Sequence, residues 1–195
     1  LDSLTRAAGA DPATDLAEVT SFAGMAYVPR TAGTRLVRVS ALQGDYPFYG
    51  KVITNPEGAW VRLAEGRVTL VDPAFLTSLG AAVGDTMALG ESRFVIAGTV
   101  ASFPGDVGVR AAFGPRVFIP ARYLAETGLL GFGSRAEYDW FLRVPASLDT
   151  KPFADTWRPS VGAQQGRLKT AVEEEEDLRQ FLDQGRVDAA KAQSD

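Results

Sequence analysis

The stretch "VGDTMALGESRFVIAGTV", residues 83–100, decides the fold. Met87 and Leu89 alternate with Thr86 and Ala88, the period-two pattern of a half-buried strand. Gly90-Glu91 has the length and the leading glycine of a tight two-residue turn. Beyond it Phe94, Ile96 and Val100 are expected on one face of the returning strand. The segment is an antiparallel hairpin, and its neighbours can be placed on either side of it.

Upstream, "VTLVD" (68–72) is a short buried strand. Asp72 and Pro73 follow as an N-cap and a proline at the first helical position, and "AFLTSLG" closes on the C-cap glycine Gly80. Asn55-Pro56-Glu57 starts a helix that carries Trp60, Val61 and Leu63 to Gly66. Asp15 to Val28, rich in Val, Thr, Phe and Tyr, is a strand stopped by Pro29. "RTAGT" turns the chain, and "RLVRVSAL" (35–42) returns as the second arm of a long hairpin. At the start, Asp2 or Ser3 caps a short helix through Ala8, closed by Gly9.

Downstream, "PGDVGVRAAFGPRVFIP" (104–120) is broken by Pro104, Gly105 and Gly108 and charged by Arg110 and Arg116. It runs into the strand Val117-Phe118-Ile119, and Pro120 opens a helix over "ARYLAETG". "AEYDWFLRVP" (136–145) is a long strand with Tyr138, Trp140 and Leu142 on one face, Phe141 and Arg143 on the other. A helix near "TKPFADTWRP" and a short strand at "RLKT" (167–170) come next. The last helix, about Ala171 to Gln184, crowds Glu173 to Glu176 into its first turn and carries a narrow stripe of Leu178, Phe181 and Leu182. Residues 185–195 have no pattern and are expected to be a disordered or appended tail. Few helices among many hairpin-linked strands make an α+β fold with a mixed sheet.

Composition narrows the chemistry. A chain of 195 residues with 46% hydrophobic and 23% charged side chains buries enough surface to fold without a metal or disulfide. The net charge of −4 and the scattered basic residues argue against a nucleic-acid partner. There is no cysteine and no histidine. Ser-His-Asp and Cys-His catalysis and imidazole zinc sites are therefore excluded. The opening Leu-Asp-Ser-Leu-Thr-Arg lacks the pattern of a secretory leader, and no apolar run reaches 18 residues.

The remaining motifs are weak. "GLLGFGSR" (128–135) matches neither glycine-rich phosphate loop. "GES" (90–92) has Arg93 where a nucleophile elbow needs glycine. The Glu173–Glu176 run is a solvated helix start rather than a cation site. Asp45, Asp72, Asp85, Asp106 and Asp139 leave a carboxylate-pair hydrolase open as an alternative, and a soluble lipid or ligand carrier is another. No catalytic, cofactor or metal residue is assigned. Two segments exceed structural need: "YPFYG" with Tyr46, Phe48 and Tyr49, and "FPGDVGVRAAFG" with Phe103, Val107, Arg110 and Phe113, followed by Arg116. Core and interface are equally open readings for both; as an interface, these eight residues are the candidate partner or lipid contacts.

Three blocks carry a family resemblance: "TSFAGMAYVPRTAGTRLVRVSALQGDYPFYG" (20–50), "LVDPAFLTSLGAAVGDTMALGESRFVIAGTV" (70–100) and "GPRVFIPARYLAETGLLGFGSRAEY" (114–138). Together they resemble the extracytoplasmic domain of FtsX-like/MacB-like ABC transporter permeases, closest to the YbbP type, over about residues 1–184. "PFYG" with "PGDVGVRAAFGPRVFIP" is the more specific part; the 83–100 hairpin is shared widely in that superfamily. The resemblance implies a discontinuous porter-like subdomain (1–54 and 134–184) with an inserted sabre-like subdomain (55–133). It implies a position between two membrane helices, on the periplasmic side, with both ends of the domain emerging on the same side. It also implies a cytoplasmic ATP-binding subunit reached through those helices and a periplasmic lysophospholipase-like esterase as a second partner. The domain then has no cofactor and no chemistry of its own. It transmits force from ATP hydrolysis to a lipid-like substrate or a partner.

Overall fold

The structure, a computed structural model, describes residues 1–104, 114–131, 133–173, 175–177 and 179. The expected apolar stripe of the last helix, the tail at 185–195, and Val107, Arg110 and Phe113 lie outside these residues. The chain forms two compact units, one from Asp11 to Arg143, the other from Leu1–Ala10 together with Val144 onward.

The larger unit is built on strands β1 (Leu16–Val28), β2 (Gly33–Gln43), β3 (Ile53–Asn55), β4 (Val68–Val71), β5 (Thr86–Leu89), β6 (Ser92–Ser102), β7 (Arg116–Pro120) and β8 (Glu137–Leu142). The two expected hairpins are both present. β1 and β2 pair antiparallel from Val28 opposite Gly33 to Glu18 opposite Gln43, and β5 and β6 pair from Leu89 opposite Ser92. What joins them is long-range. β2 runs parallel to β7, β7 antiparallel to β4, β4 parallel to β6, and β5 returns to β1 through Ala26 opposite Leu89. Six strands thus close a ring, and β3 and β8 attach to its outside through β6 and β1. The mixed sheet agrees with the α+β expectation, and it crosses residues 54/55 and 133/134, where the porter-like and sabre-like parts were expected to divide.

Inside the ring, Phe22, Val28, Val39, Met87, Leu89, Phe94, Ile96 and Ile119 share one core, and Phe75 from helix α2 (Pro73–Leu79) enters it fully buried. Burial of that one phenyl ring contributes about 2–3 kcal/mol. A second core lies against the outer face of β4, β6 and β7, from Leu63, Leu70, Ala97, Val100 and Phe118. Val100 was expected beside Phe94 and Ile96 but belongs to this second core. The register between β4 and β6 slips after Thr69 opposite Ile96, so that Leu70 faces Gly98. The bulge moves later residues to the other face.

Other expectations are corrected by local chemistry. Residues 59–64 are a six-residue 3-10 helix after Gly58 in the left-handed region, and β3 precedes them. Pro120 is followed by two single 3-10 turns, Ala121–Tyr123 and Ala125–Thr127, not one helix. Short segments of this kind favour the tighter helix. Arg167–Thr170 is irregular, for it lies in the unit whose described residues hold no strand to pair with it.

That smaller unit contains α1 (Asp2–Ala7) and α3 (Thr150–Gly162). Neither Asp2 nor Ser3 is the N-cap of α1; Leu1 is, without a side-chain hydrogen bond. Asp149 caps α3 through Lys151 N–H. Thr170 and Glu173 form a reciprocal capping box: Thr170 N–H donates to Glu173 Oε2, and Glu173 N–H donates to Thr170 Oγ1. Arg158 pairs with Asp155 and with Glu173.

Two corners of the ring are tightly set. At Gly90 (φ +58°) an added Cβ would lie 2.0 Å from the Thr127 carbonyl oxygen, whose acceptor is already used by Glu91 N–H. Gly90→Ala is expected to lose about 3 kcal/mol of unfolding free energy in a denaturant titration. Gly84→Ala, at φ +97° but with open space around it, should lose only about 1–2 kcal/mol. Similar losses at the two sites would remove the Thr127 clash from the account.

The second corner is Arg30, whose Nε and Nη2 donate to both oxygens of Asp85 at 2.6 and 2.8 Å; Nη2 also donates to Gly80 O. The Arg30 hydrogen bond, then Ala82 N–H, holds the Asp85 carboxyl below its ordinary range. A lowered folded-state pKa contributes stability above the unfolded value and loses it as pH falls through the folded one. The melting temperature should therefore drop as pH falls below about 4, and Asp85→Asn should flatten that slope. An unchanged slope in the variant would show that Asp85 carries none of it.

Candidate functional site

Residues 44–52 between β2 and β3 belong to no strand, and aromatic contacts hold them in place. Tyr46 stacks at 4.2 Å on Phe141 of β8 and at 5.6 Å on Phe103. Phe103 in turn meets Trp60 and Phe118, both at 5.5 Å, and Trp60 meets Phe118 at 5.4 Å edge-on. Trp60 Nε1–H donates to the Tyr46 carbonyl at 3.0 Å, so its one polar atom is satisfied within the cluster. The five rings come from five separate stretches of chain; Phe118 belongs to the second core, and Trp60 and Phe103 pack against it.

Between this segment, the 3-10 helix at 59–64 and the end of β7 runs an open groove of about 700 Å³. Its apolar walls are Leu42, Tyr46, Val52, Trp60, Leu63 and Pro120. Three charged residues line it: Lys51, Arg122 and Asp45. Arg122 is held by its Nη2, which donates to the carbonyls of Leu63, Ala64 and Gly66 at 3.4, 3.1 and 3.4 Å, and it lies over the Tyr123 ring at 4.9 Å. Those carbonyls end the 59–64 helix, where a cation is favoured. Lys51 pairs at 3.2 Å with Glu57, both highly exposed.

Arg116, at the start of β7, and Asp72 form the most enclosed ion pair among the described residues, with side chains 15% and 13% exposed. Arg116 N–H donates to Asp72 Oδ2 at 2.7 Å, Nη2 donates to Oδ1 at 3.1 Å, and Asp72 N–H returns a bond to Arg116 O at 2.9 Å. The guanidinium also lies 5.8 Å from the Phe103 and 5.4 Å from the Phe118 ring centre. Asp72 was read as the N-cap of α2. It holds that position through its backbone, but its carboxylate is committed to β7.

Of the eight candidate contacts, the structure brings Tyr46, Phe103 and Arg116 into this one neighbourhood. Phe48 is half-buried under Arg143 at 5.2 Å, and Tyr49 is exposed. Trp60, Leu42, Val52 and Arg122 were not singled out from sequence as site residues. Trp60 alone had a signal, an indole in an otherwise short apolar turn. Among the described residues no three His, Cys, Asp or Glu side chains gather as a metal site, and no helix is long and apolar enough to cross a membrane.

No family model matches the chain. In sequence it is 30% identical over 118 residues, 60% of its length, to the uncharacterized ABC transporter permease YbbP of Escherichia coli (strain K12). That match covers 14% of the relative, so the chain corresponds to a small part of it. In fold it resembles the extracellular domain of the ABC-type transporter YknZ from Gram-positive bacteria, with TM-score 0.53 and 10% identity over 86% of this chain and 84% of that one. A domain of a putative permease protein from Porphyromonas gingivalis overlays more loosely, at TM-score 0.43 and 12% identity over 79% of this chain and 70% of that one. The resemblance to an ABC transporter permease thus rests on sequence, and that to the extracellular domain of an ABC-type transporter on fold.

The ion pair can be tested for its part in holding the site. Asp72→Ala and Arg116→Ala are each expected to lose about 2–3 kcal/mol, less than a fully buried pair because solvent reaches both side chains. The double variant should lose about 1–2 kcal/mol less than the sum. Strict additivity would mean that the two side chains are not coupled.

Proposed function

We propose that this chain is the extracytoplasmic domain of an ABC transporter permease, lying between two membrane helices outside the membrane. The observation that carries the reading is the YknZ-like fold together with the partial YbbP-like sequence. The placing of both terminal segments in one compact unit supports it. A domain spliced between two helices needs its entering and leaving strands of chain to meet in one body.

In this reading a cytoplasmic ATP-binding subunit hydrolyses ATP, the membrane helices carry the motion, and this domain applies it to a lipid-like substrate or a periplasmic partner such as an esterase. Residues 1–54 with 134–184 act as the porter-like part and residues 55–133 as the inserted sabre-like part. Phe103, Val107, Arg110, Phe113, Arg116, Tyr46, Phe48 and Tyr49 are the proposed contacts, with Phe103, Arg116 and Tyr46 also structural. The domain itself is non-catalytic and needs no cofactor. Asp45 is the one carboxylate lining the groove, where an acid-base hydrolase needs two. Asp72 and Asp85 are engaged by Arg116 and Arg30.

The absence of cysteine makes location directly measurable. In a cysteine-free full-length permease, Val61→Cys on the exposed face of the 59–64 helix should react with a membrane-impermeant maleimide in intact spheroplasts. Reaction only after lysis would overturn the extracytoplasmic reading. Arg110→Glu combined with Phe113→Ala should leave the melting temperature within about 2 °C, a shift equivalent to less than 1 kcal/mol, and abolish the function of the full complex. Full function in that variant would remove both residues from the contact set.

A further inference from the structure

We propose that the groove beside Tyr46 and Trp60 binds a single-chain amphiphile with an anionic head, the chain along the aromatic wall and the head at Arg122. This deepens the reading of the domain as one that handles a hydrophobic substrate, and it rests on that reading. Three observations on the groove point to this ligand class.

The first is size and surface. A volume of about 700 Å³ lined by Leu42, Tyr46, Val52, Trp60, Leu63 and Pro120 is in the range of small-molecule sites, which are largely apolar with a few placed polar groups. The groove is open, so a chain can lie in it and extend beyond. The second is the state of Arg122. No carboxylate among the described residues pairs with it, and its hydrogen bonds to them all run through Nη2 to backbone carbonyls. These bonds and the Tyr123 ring fix the side chain in place, while its full charge stays available to an anion.

The third is the balance of charge. Two cations, Lys51 and Arg122, line the groove against one carboxylate, Asp45. Lys51's pair with Glu57 is exposed and correspondingly weak, so the ammonium can turn to an incoming anion at little cost. A cationic amphiphile would set its charge against the fixed guanidinium. A neutral one would leave that guanidinium unused. A carboxylate or phosphate head on one alkyl chain answers both the wall and the cation.

The test uses the purified 195-residue chain with dodecyl phosphate, dodecyl maltoside and inorganic phosphate, each below any micelle-forming concentration. Calorimetry and tryptophan emission, to which Trp60 contributes, are read together. Dodecyl phosphate should bind saturably at one site and shift the emission, at least tenfold more tightly than dodecyl maltoside, and inorganic phosphate should not bind. Arg122→Gln should weaken dodecyl phosphate at least tenfold and leave dodecyl maltoside within twofold. Val61→Asp places a carboxylate on the exposed lip of the groove without touching the carbonyl contacts of Arg122, and it should weaken dodecyl phosphate at least fivefold. It keeps the test alive if Arg122→Gln fails to fold.

Absence of saturable binding, equal affinity for the maltoside, binding of phosphate alone, or indifference to both variants would each overturn the proposal. Those failures are separable from failure of the wider reading. A Val61→Cys permease labelled from outside, with an empty groove, sinks only the ligand assignment. Labelling only after lysis sinks the extracytoplasmic placement and leaves groove binding standing.

Discussion

The structure depends on the double use of β1. It pairs along one edge with β2, from Glu18 to Val28, and along the other with β8 near the start and β5 near the end. Without the short contact of Ala26–Tyr27 with Ala88–Leu89 the sheet would remain open, with β1 and β5 as facing free edges. With it six strands form a ring around Phe22, Val28, Leu89 and Phe94, and the interior is sealed by side chains rather than water. Closure also determines what stays outside. β4 and β7 are buried on both faces, so their outer residues Leu70 and Phe118 must be covered, and the 59–64 helix with the Tyr46–Phe103 aromatics supplies that cover.

The candidate site follows from that arrangement. Its groove lies where the covering layer meets the end of β7, and three of its lining residues are anchored by contacts to neighbouring elements. Tyr46 is held by Phe103 and Phe141, Trp60 by Phe118 and the Tyr46 carbonyl, and Arg122 by the end of the helix it faces. The Asp72–Arg116 pair ties the end of β4 to the start of β7 beneath the same rings.

The hairpins were legible in the amino-acid sequence because their signals are local. Alternation around Gly90-Glu91, the Pro29 stop before "RTAGT", and Asp72-Pro73 ahead of α2 each act within a few residues. The ring was not legible, since the pairings of β2 with β7 and β1 with β5 join segments about 60 to 80 residues apart and leave no mark on either. Faces were lost where a bulge intervenes: Val100 follows the period of Phe94 and Ile96 on paper, and the slip at Thr69–Leu70 sends it outward. Of the groove, only Tyr46, as a contact, and Asp45, as a candidate carboxylate, stood out. Arg122 is an unremarked residue two positions after a proline, and its importance comes from three carbonyls contributed by residues about 60 positions earlier. Asp72 shows how a correct position can hide a second role, with its backbone starting a helix and its carboxylate serving a strand.

The central proposal is that this polypeptide is inserted between two membrane helices, so that its first residues and the segment around Val172 both lie near the bilayer. Spin labels at Leu1 and Val172, both exposed, in the reconstituted full-length permease test it most directly, by relaxation from a lipid-bound paramagnet. The account predicts strong and similar enhancement at the two positions. Strong enhancement at one with none at the other would contradict it.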